Sequence, residues 1–145
     1  MEHLVIRTLK KEDASDIDRI NEVITKSPAK DEFKRKVEEL AQSRGNMSYV
    51  AEYQGKVVGY MITYVLRGGF GIGKSAWIAT VGVEPQFMGR GIGKALAKKI
   101  FQLYSKKDIK NIYTSVRWDS TDMLSFFKTL GFDRSNFINL KKEMS

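Results

Sequence analysis

The stretch VGVEPQFMGRGIGK, residues 81–94, is the part of this sequence that indicates most about its fold. It begins as a strand that Pro85 closes, and it leads into a helix whose apolar residues recur at three-and-four spacing. Between the two, glycines at alternate positions from 89 to 93 bare the backbone amides and let a phosphate come close. Arg90 and Lys94 add positive charge. The pattern favours a pyrophosphate-binding loop; a strand–helix loop that uses glycine only for tight packing is the alternative.

Hydrophobic periodicity on either side of this stretch predicts the remaining elements. The predicted order is β-α-α-β-β-β-α-β-α-β, which is an α/β domain with a mixed sheet. The predicted strands lie at 4–9, 47–53, 57–66, 75–84 and 111–117, with one or two last strands within 132–140. The predicted helices lie at 14–24, 33–41, 92–103 and 119–130. With 145 residues and a mass of 16.5 kDa, the chain is expected to form a single domain over residues 1–145.

The amino-acid composition excludes several kinds of catalytic and metal-binding site. The chain contains no cysteine, which excludes disulfide scaffolds, thiolate zinc sites, iron–sulfur clusters and cysteine nucleophiles. Its one histidine, His3, lies near a terminus, so neither a histidine-based triad nor a multi-histidine metal site is expected. No metal is therefore predicted.

The charge and hydropathy of the chain limit its partners and its location. No stretch approaches the roughly 18–20 apolar residues that a membrane helix needs, and the N-terminus lacks the apolar run of a signal peptide, so a cytoplasmic location is expected. The net charge of +8 favours an anionic partner such as a polyphosphate cofactor, although solubility alone could explain it. Because the basic residues are scattered in pairs, neither nucleic acid nor a membrane is expected as a partner.

A second glycine-rich stretch, GGFGIGKS at 68–75, fits the nucleotide-binding pattern G-x-x-x-x-G-K-[ST]. That pattern requires a following helix, whose N-terminal amides and dipole hold the phosphates. The residues that follow, AWIATVGVEP at 76–85, are strand formers, and Gly82 and Pro85 penalise a helix. We therefore expect a β-hairpin loop beside a substrate entrance, with a P-loop nucleotide-binding protein as a remote alternative.

The stretch 81–94 and the ending FFKTLGF at 126–132 together resemble the GNAT superfamily of acyl-CoA-dependent N-acyltransferases, including its ribosomal-protein alanine acetyltransferases. The resemblance covers nearly the whole chain. It implies a mostly antiparallel mixed sheet flanked by helices, acetyl-CoA as cosubstrate, and direct attack by an amine without a covalent enzyme intermediate.

The resemblance also implies which residues hold the cosubstrate. Its pantetheine arm would pair beside Val81, Gly82 and Val83, and the Val83 N–H would point at the thioester carbonyl, where negative charge develops. Its pyrophosphate would bind the backbone amides of Met88, Gly89, Arg90, Gly91, Ile92, Gly93 and Lys94.

Four positions depart from the family pattern. Met88 stands where relatives often have Gln or Arg, and Ser120 stands where they often have Asn. Phe127 takes the place of the Tyr that usually protonates the leaving thiolate, and Ser115 takes the place of the Glu base of ribosomal-protein alanine acetyltransferases. Val83, Ser115 and Ser120 are the catalytic candidates, and Ser120 and Phe127 are also cofactor-contact candidates; Ser120 could equally cap its helix.

Two further sets of side chains are ambiguous at this point. Glu84 is either an ionisable group of the site or, more commonly for an acidic residue before proline, a turn or cap residue. The strand tyrosines either face the cleft or pack with satisfied hydroxyls, and packing is favoured; they are Tyr49, Tyr60, Tyr64 and Tyr113.

The sequence thus predicts transfer of an acetyl group from acetyl-CoA to a primary amine. A protein or peptide amine is favoured as acceptor, and a small amine is not excluded. The alternative from a different class is an acyl-CoA-binding regulatory module with little turnover. The choice between monomer and homodimer is left open.

Overall fold

A computed structural model describes residues 3–26, 31–68 and 73–145. The chain forms two compact units, Met1–Ser115 and Val116–Ser145. Within the described residues, the first unit carries the sheet and three helices, and the second carries one helix.

The elements follow the predicted order as far as the last helix, which confirms the predicted α/β class. The strands are β1 (Leu4–Thr8), β2 (Tyr49–Tyr53), β3 (Lys56–Leu66), β4 (Ser75–Val83) and β5 (Ile112–Thr114). The helices are α1 (Ala14–Thr25), α2 (Asp31–Gln42), α3 (Ile92–Lys106) and α4 (Thr121–Thr129), with 3-10 turns at Lys11–Asp13 and Pro85–Phe87. The predicted break near Pro28 lies outside the described residues.

The five strands form one sheet in the order β1-β2-β3-β4-β5. The first four strands pair antiparallel, and β4 pairs with β5 in parallel, so the sheet is mixed and mostly antiparallel as the resemblance implies. In the central strand β3, residues 57–63 are all buried. A strand covered on both faces is expected to be continuously apolar, which explains the long apolar run of this segment.

Two neighbouring residues of β3 show how the helices cover the sheet. Tyr60 belongs to the core cluster that includes Ile17 and Ile20 of α1, so α1 lies on its face of the sheet. A Cβ on Gly59 would come within 2.8 Å of the Ile92 side chain, so α3 packs against the opposite face. The glycine at position 59 allows this close approach of helix and strand.

The second unit contains α4 and an irregular tail. Phe127 is buried, and its ring makes edge contacts with Phe126 and Phe132 at centroid distances of 5.2 and 5.1 Å. The last strand predicted within 132–140 does not form; this segment has no regular structure. A strand requires a ladder partner, and the unit Val116–Ser145 contains no other strand to provide one.

Within the described ranges, no helix is long and apolar enough to cross a membrane. The same residues bring together no group of three or more His, Cys, Asp or Glu side chains that could hold a metal ion.

Candidate functional site

The carboxyl end of β4 has an open edge. β5 pairs with β4 only from Ala76 to Ile78, because β5 has three residues rather than the seven predicted. On its other side β4 stays paired with β3 as far as the pair Gly59–Val83. Beyond Ile78 the two parallel strands therefore separate, and β4 offers unpaired backbone on the side where β5 has ended.

The amide of Val83 faces this open edge. Glu84 donates its backbone N–H to the Val58 carbonyl of β3 at 2.8 Å. Successive amides of a strand point to opposite sides, so the preceding amide, that of Val83, points away from β3. By the same alternation the amide of Val81 also points to the open edge. This is the orientation that the resemblance implies for an amide directed at a thioester carbonyl.

The loop that follows β4 exposes the N-terminus of α3. Gly89 and Gly91 have φ angles of 78° and 81°, in the left-handed region that favours glycine. Gly91 occupies the N-cap position of α3, and no side chain caps the helix. The first amides of a helix have no partner within the helix, and they carry the positive end of its dipole. The loop therefore presents free N–H donors to an anion.

Cationic side chains accompany these amides. The Arg90 guanidinium lies over the Phe87 ring at 5.3 Å from its centroid, which restrains it beside the loop. Lys94 is exposed on the first turn of α3, and Met88 is exposed in the loop itself. Ile92 and Gly93 are buried, because they lie on the face of α3 that packs against the sheet.

Gly82 is required by a close approach that the sequence does not reveal. A Cβ at this position would come within 2.5 Å of the Tyr60 hydroxyl. Tyr60 is 1% exposed, and burial raises the pKa of its hydroxyl to about 12, with a hydrogen bond to Thr80 opposing the shift. The hydroxyl is therefore a neutral group against β4 at physiological pH. For Tyr60, the favoured prediction of a packed ring with a satisfied hydroxyl is confirmed.

The other strand tyrosines divide between the two predicted environments. Tyr113 stacks on Trp77 with centroids 4.9 Å apart, and Tyr49 is half-buried. Tyr64 is 40% exposed, so it is not a packed core residue.

Glu84 takes part in a partly buried ion pair that sequence reasoning missed. Its carboxylate accepts a hydrogen bond from Arg19 of α1 at 3.2 Å, and its side chain is 10% exposed. The second carboxylate oxygen and the Arg19 Nη2 atom are buried and have no hydrogen-bond partner among the residues that the structure describes. The favoured role of a turn residue is confirmed, because Glu84 occupies the N-cap position of the turn Pro85–Phe87 and its carbonyl accepts the Phe87 N–H at 2.8 Å, but its side chain makes no cap hydrogen bond. Instead the pair ties α1 to the end of β4.

The remaining candidates do not belong to the continuous stretch 81–94. Ser115 is exposed and directly follows β5, one residue beyond the last pair of the β4–β5 ladder. Ser120 and Phe127 lie in the unit Val116–Ser145. Ser120 occupies the N-cap position of α4 but makes no side-chain cap hydrogen bond, so the alternative of a capping serine is wrong.

The glycine-rich stretch 68–75 lies between β3 and β4, which pair antiparallel as expected of a hairpin. Gly68 donates its N–H to the Gly73 carbonyl at 3.1 Å, and β4 begins at Ser75. Residues 69–72 lie outside the described ranges. Since a strand follows in place of a helix, the P-loop alternative is wrong. The turn lies at the opposite end of β4 from the loop 88–94.

Together, the mixed sheet, the open edge of β4 and the uncapped helix N-terminus define an α/β protein with free backbone donors at the carboxyl end of β4. Comparisons with known proteins agree with this class. The profile of the acetyltransferase (GNAT) family matches residues 15–132. The chain therefore belongs to the GNAT family of acetyltransferases. Membership confirms the resemblance on which the predicted enzyme class rests.

Individual relatives show the same likeness. Mycothiol acetyltransferase of Amycolatopsis mediterranei (strain U-32) is 30% identical over 89 residues, which make up 59% of this chain and only 30% of that relative. An aminoglycoside N-acetyltransferase solved in complex with CoA has a TM-score of 0.82 at 17% identity, covering 99% of this chain and 96% of that one. Ribosomal-protein-alanine N-acetyltransferase from Brucella melitensis biovar Abortus 2308 has a TM-score of 0.75 at 16% identity, covering 98% and 99%. These two structures share the fold.

Proposed function

We propose that this protein transfers the acetyl group of acetyl-CoA to a primary amine of a peptide or protein. The observation that carries the proposal is the orientation of the Val83 amide, which faces the open edge of β4 because Glu84 donates to β3. A thioester lying along this edge would place its carbonyl oxygen within reach of a fixed donor. Such a donor stabilises the charge that develops as the amine attacks.

The same stretch would hold the rest of the cosubstrate. The pantetheine arm would pair with β4 at Val81, Gly82 and Val83, in the space that β5 leaves. The pyrophosphate would bind the amides from Met88 to Lys94, at the positive end of α3. For Ser120 and Phe127, cofactor contacts stay predictions from the resemblance. We also propose one N-acetyltransferase domain over residues 1–145, since the family match at 15–132 includes residues of both units.

The reaction is balanced without a covalent enzyme intermediate. The amine nitrogen forms a bond to the thioester carbon, the C–S bond breaks, and the amine loses one proton. The departing CoA thiolate gains a proton from water, from the ammonium or from a hydroxyl such as that of Ser115 or Ser120. Phe127 has no proton to give.

The acceptor follows from the absence of a carboxylate base at position 115. A lysine ammonium with a pKa near 10.4 is almost entirely protonated at neutral pH, whereas an N-terminal amine near 7.7–8.0 is not. With Ser115 in place of a carboxylate, we expect an α-amine to be acetylated roughly 200- to 400-fold faster than a lysine side chain at neutral pH, from the difference in free amine. Two relatives are named for small molecules, mycothiol and aminoglycoside, so a small amine is the second acceptor class to test.

The test is steady-state release of CoA with two peptides of the same sequence. One peptide has a free N-terminus and an acetylated lysine, and the other has an acetylated N-terminus and a free lysine. The expected result is a preference for the free N-terminus and a rate with the lysine peptide that rises with pH beyond 9. A lysine rate that is already constant near pH 6 would reveal a base and contradict the proposal. Tight acetyl-CoA binding without turnover on peptides or small amines would favour the alternative, a regulatory module. A cytoplasmic location stays a prediction.

A further inference from the structure

A cavity of about 340 Å³ lies at the end of the sheet opposite the loop 88–94. It is formed where β3 ends and β4 begins, together with the carboxyl ends of α2 and α3. Ser75 and Val83 are the two ends of β4, and the eight steps between them at ~3.3 Å each span about 26 Å. The cavity is therefore distinct from the open edge of β4 and the helix N-terminus that would hold acetyl-CoA.

Among the described residues that line this cavity, none is a carboxylate and four are cationic: Arg44, Arg67, Lys74 and Lys107. All four are exposed at its rim. Among the described residues, none of the four takes part in an ion pair. Like charges around one concavity repel each other, and a polyanion between them would relieve that repulsion.

Two helix ends partly offset this charge, but they do not cancel it. Arg44 follows the carboxyl end of α2, and Lys107 follows that of α3, where cations commonly complement the helix dipole. Each helix end contributes about −0.5 charge. Four cations against about one negative charge leave an excess of roughly three positive charges. Neither Arg67 nor Lys74 has such a role, because they flank the β3–β4 turn.

The floor of the cavity is polar, neutral and fixed. The Thr63 hydroxyl donates to the Met47 carbonyl at 2.7 Å, so it must accept the proton of Tyr104, whose hydroxyl is also 2.7 Å away. Thr63 and Tyr104 are both buried, and burial raises the pKa of the Tyr104 hydroxyl. The floor therefore carries no negative charge that would repel an anion.

We propose that this cavity is a second binding site, for a chain of linked phosphate groups. Several cations around one concavity match a compact polyanion, and guanidinium groups bind phosphate oxygens in pairs. Known ligand pockets have volumes of about 300–1,000 Å³, so this one suits a phosphate chain better than a whole nucleotide. Lys74, from the stretch that imitates a nucleotide-binding motif, contributes through the hairpin turn and not through a P-loop. The site is independent of the proposed acetyl transfer.

Isothermal titration of inorganic tripolyphosphate into protein saturated with acetyl-CoA tests the proposal, because the saturated protein has no free pyrophosphate loop. A parallel titration with ATP in the absence of magnesium separates the two sources of a phosphate chain. Equal affinities would assign recognition to the phosphates alone, and tighter ATP binding would add a contact to the nucleoside; either result supports the site. If tripolyphosphate does not bind to the protein saturated with acetyl-CoA, the proposal is overturned.

Two double variants with the same net charge locate the binding. Arg67→Glu/Lys74→Glu alters the cavity, and Lys36→Glu/Lys142→Glu alters exposed lysines that do not line it. Each lowers the net charge from +8 to +4, since each substitution removes two charges. The cavity variant is expected to weaken tripolyphosphate binding at least 10-fold, and the control less than twofold. Equal losses in both variants would show charge attraction without a site and would overturn the proposal.

Amide chemical shifts provide a measurement that does not depend on variants. Tripolyphosphate added to the saturated protein should shift the amides of Thr63, Tyr104 and Lys107. Shifts confined to residues 88–94 would place the anion in the acetyl-CoA loop and contradict the proposal.

Discussion

The two glycine-rich stretches at 68–75 and 81–94 have similar composition and opposite structural roles. Both place a cationic residue beside glycine with positive φ: Lys74 follows Gly73, whose φ is 69°, and Arg90 precedes Gly91, whose φ is 81°. The first is followed by a strand, whereas the second leads into a 15-residue helix whose N-terminus has no side-chain cap. The comparison teaches that glycine spacing indicates which conformations a backbone can adopt. Whether the backbone amides converge on an anion depends on the secondary-structure element that follows the glycines.

The prediction with the largest expected effect tests whether only the second stretch, 81–94, binds the cosubstrate. Gly91→Val places a β-branched residue at a left-handed position, which costs about 1–2 kcal/mol, and its side chain fills space that the pyrophosphate needs. We expect acetyl-CoA affinity by titration calorimetry to fall at least ~100-fold, or ~2.7 kcal/mol. Gly73→Val is the matched control, because it meets the same backbone strain and also has no atom within 4 Å of its Cβ. Its affinity for acetyl-CoA should stay within twofold. Equal losses in the two variants would abolish the distinction between the stretches.

A second prediction concerns the strand that leads into the binding stretch. Gly82→Ala forces a Cβ against the Tyr60 ring, which is backed by the core and cannot move freely. Overpacking of this kind costs about 1–3 kcal/mol, measured as the free energy of unfolding in urea. In a Tyr60→Ala background the same substitution should cost less, because the clashing ring is gone. If the cost is unchanged in that background, the contact between the ring and β4 does not explain the glycine.

The Tyr60 hydroxyl also predicts a pH dependence. Its folded-state pKa of about 12 lies above the ordinary value of 10.0, so the folded state retains a proton that the unfolded state loses. The stabilisation is complete below pH 10 and is lost as the pH rises through 12, by up to about 1.4 kcal/mol per pH unit. The unfolding free energies of the wild type and Tyr60→Phe, measured at pH 9 to 11.5, should therefore differ in slope. If the two curves of unfolding free energy against pH are parallel, the Tyr60 hydroxyl has an ordinary pKa in the folded state.

The smallest expected effect compares one cation from each stretch. Arg90→Ala removes a guanidinium held over the Phe87 ring beside the helix N-terminus. An exposed charge of this kind is worth up to about 1 kcal/mol, so acetyl-CoA affinity should fall about two- to fivefold. Lys74→Ala, at the other end of β4, should leave it unchanged within error. A larger loss from Lys74→Ala than from Arg90→Ala would contradict the assignment of the stretches.

Local sequence pattern was enough to predict most of the fold and the strand–loop–helix geometry of the candidate site. The apolar run of β3 and the strand–loop–helix at 81–94 each carry their own signal, because periodicity and glycine spacing are local properties. No local sequence signal indicates the close contact of Tyr60 with Gly82 or the ion pair of Arg19 with Glu84, because the two partners of each contact are distant in the chain. The last predicted strand failed for a related reason: Phe137, Ile138 and Leu140 have strand-like character, but a strand also depends on a partner.

The backbone of the loop 88–94 has a consequence for selectivity. Its φ angles are set by glycine, and a Cβ at Gly89 or Gly91 would meet nothing within 4 Å, so what this loop offers a ligand is chiefly its main-chain amides. Main-chain donors are the same in every protein that adopts this conformation. A compound that competes for the loop would therefore bind relatives of this fold almost equally well. Discrimination between such proteins must rest on side chains, and the cationic rim at the far end of β4 is one place where this chain supplies its own.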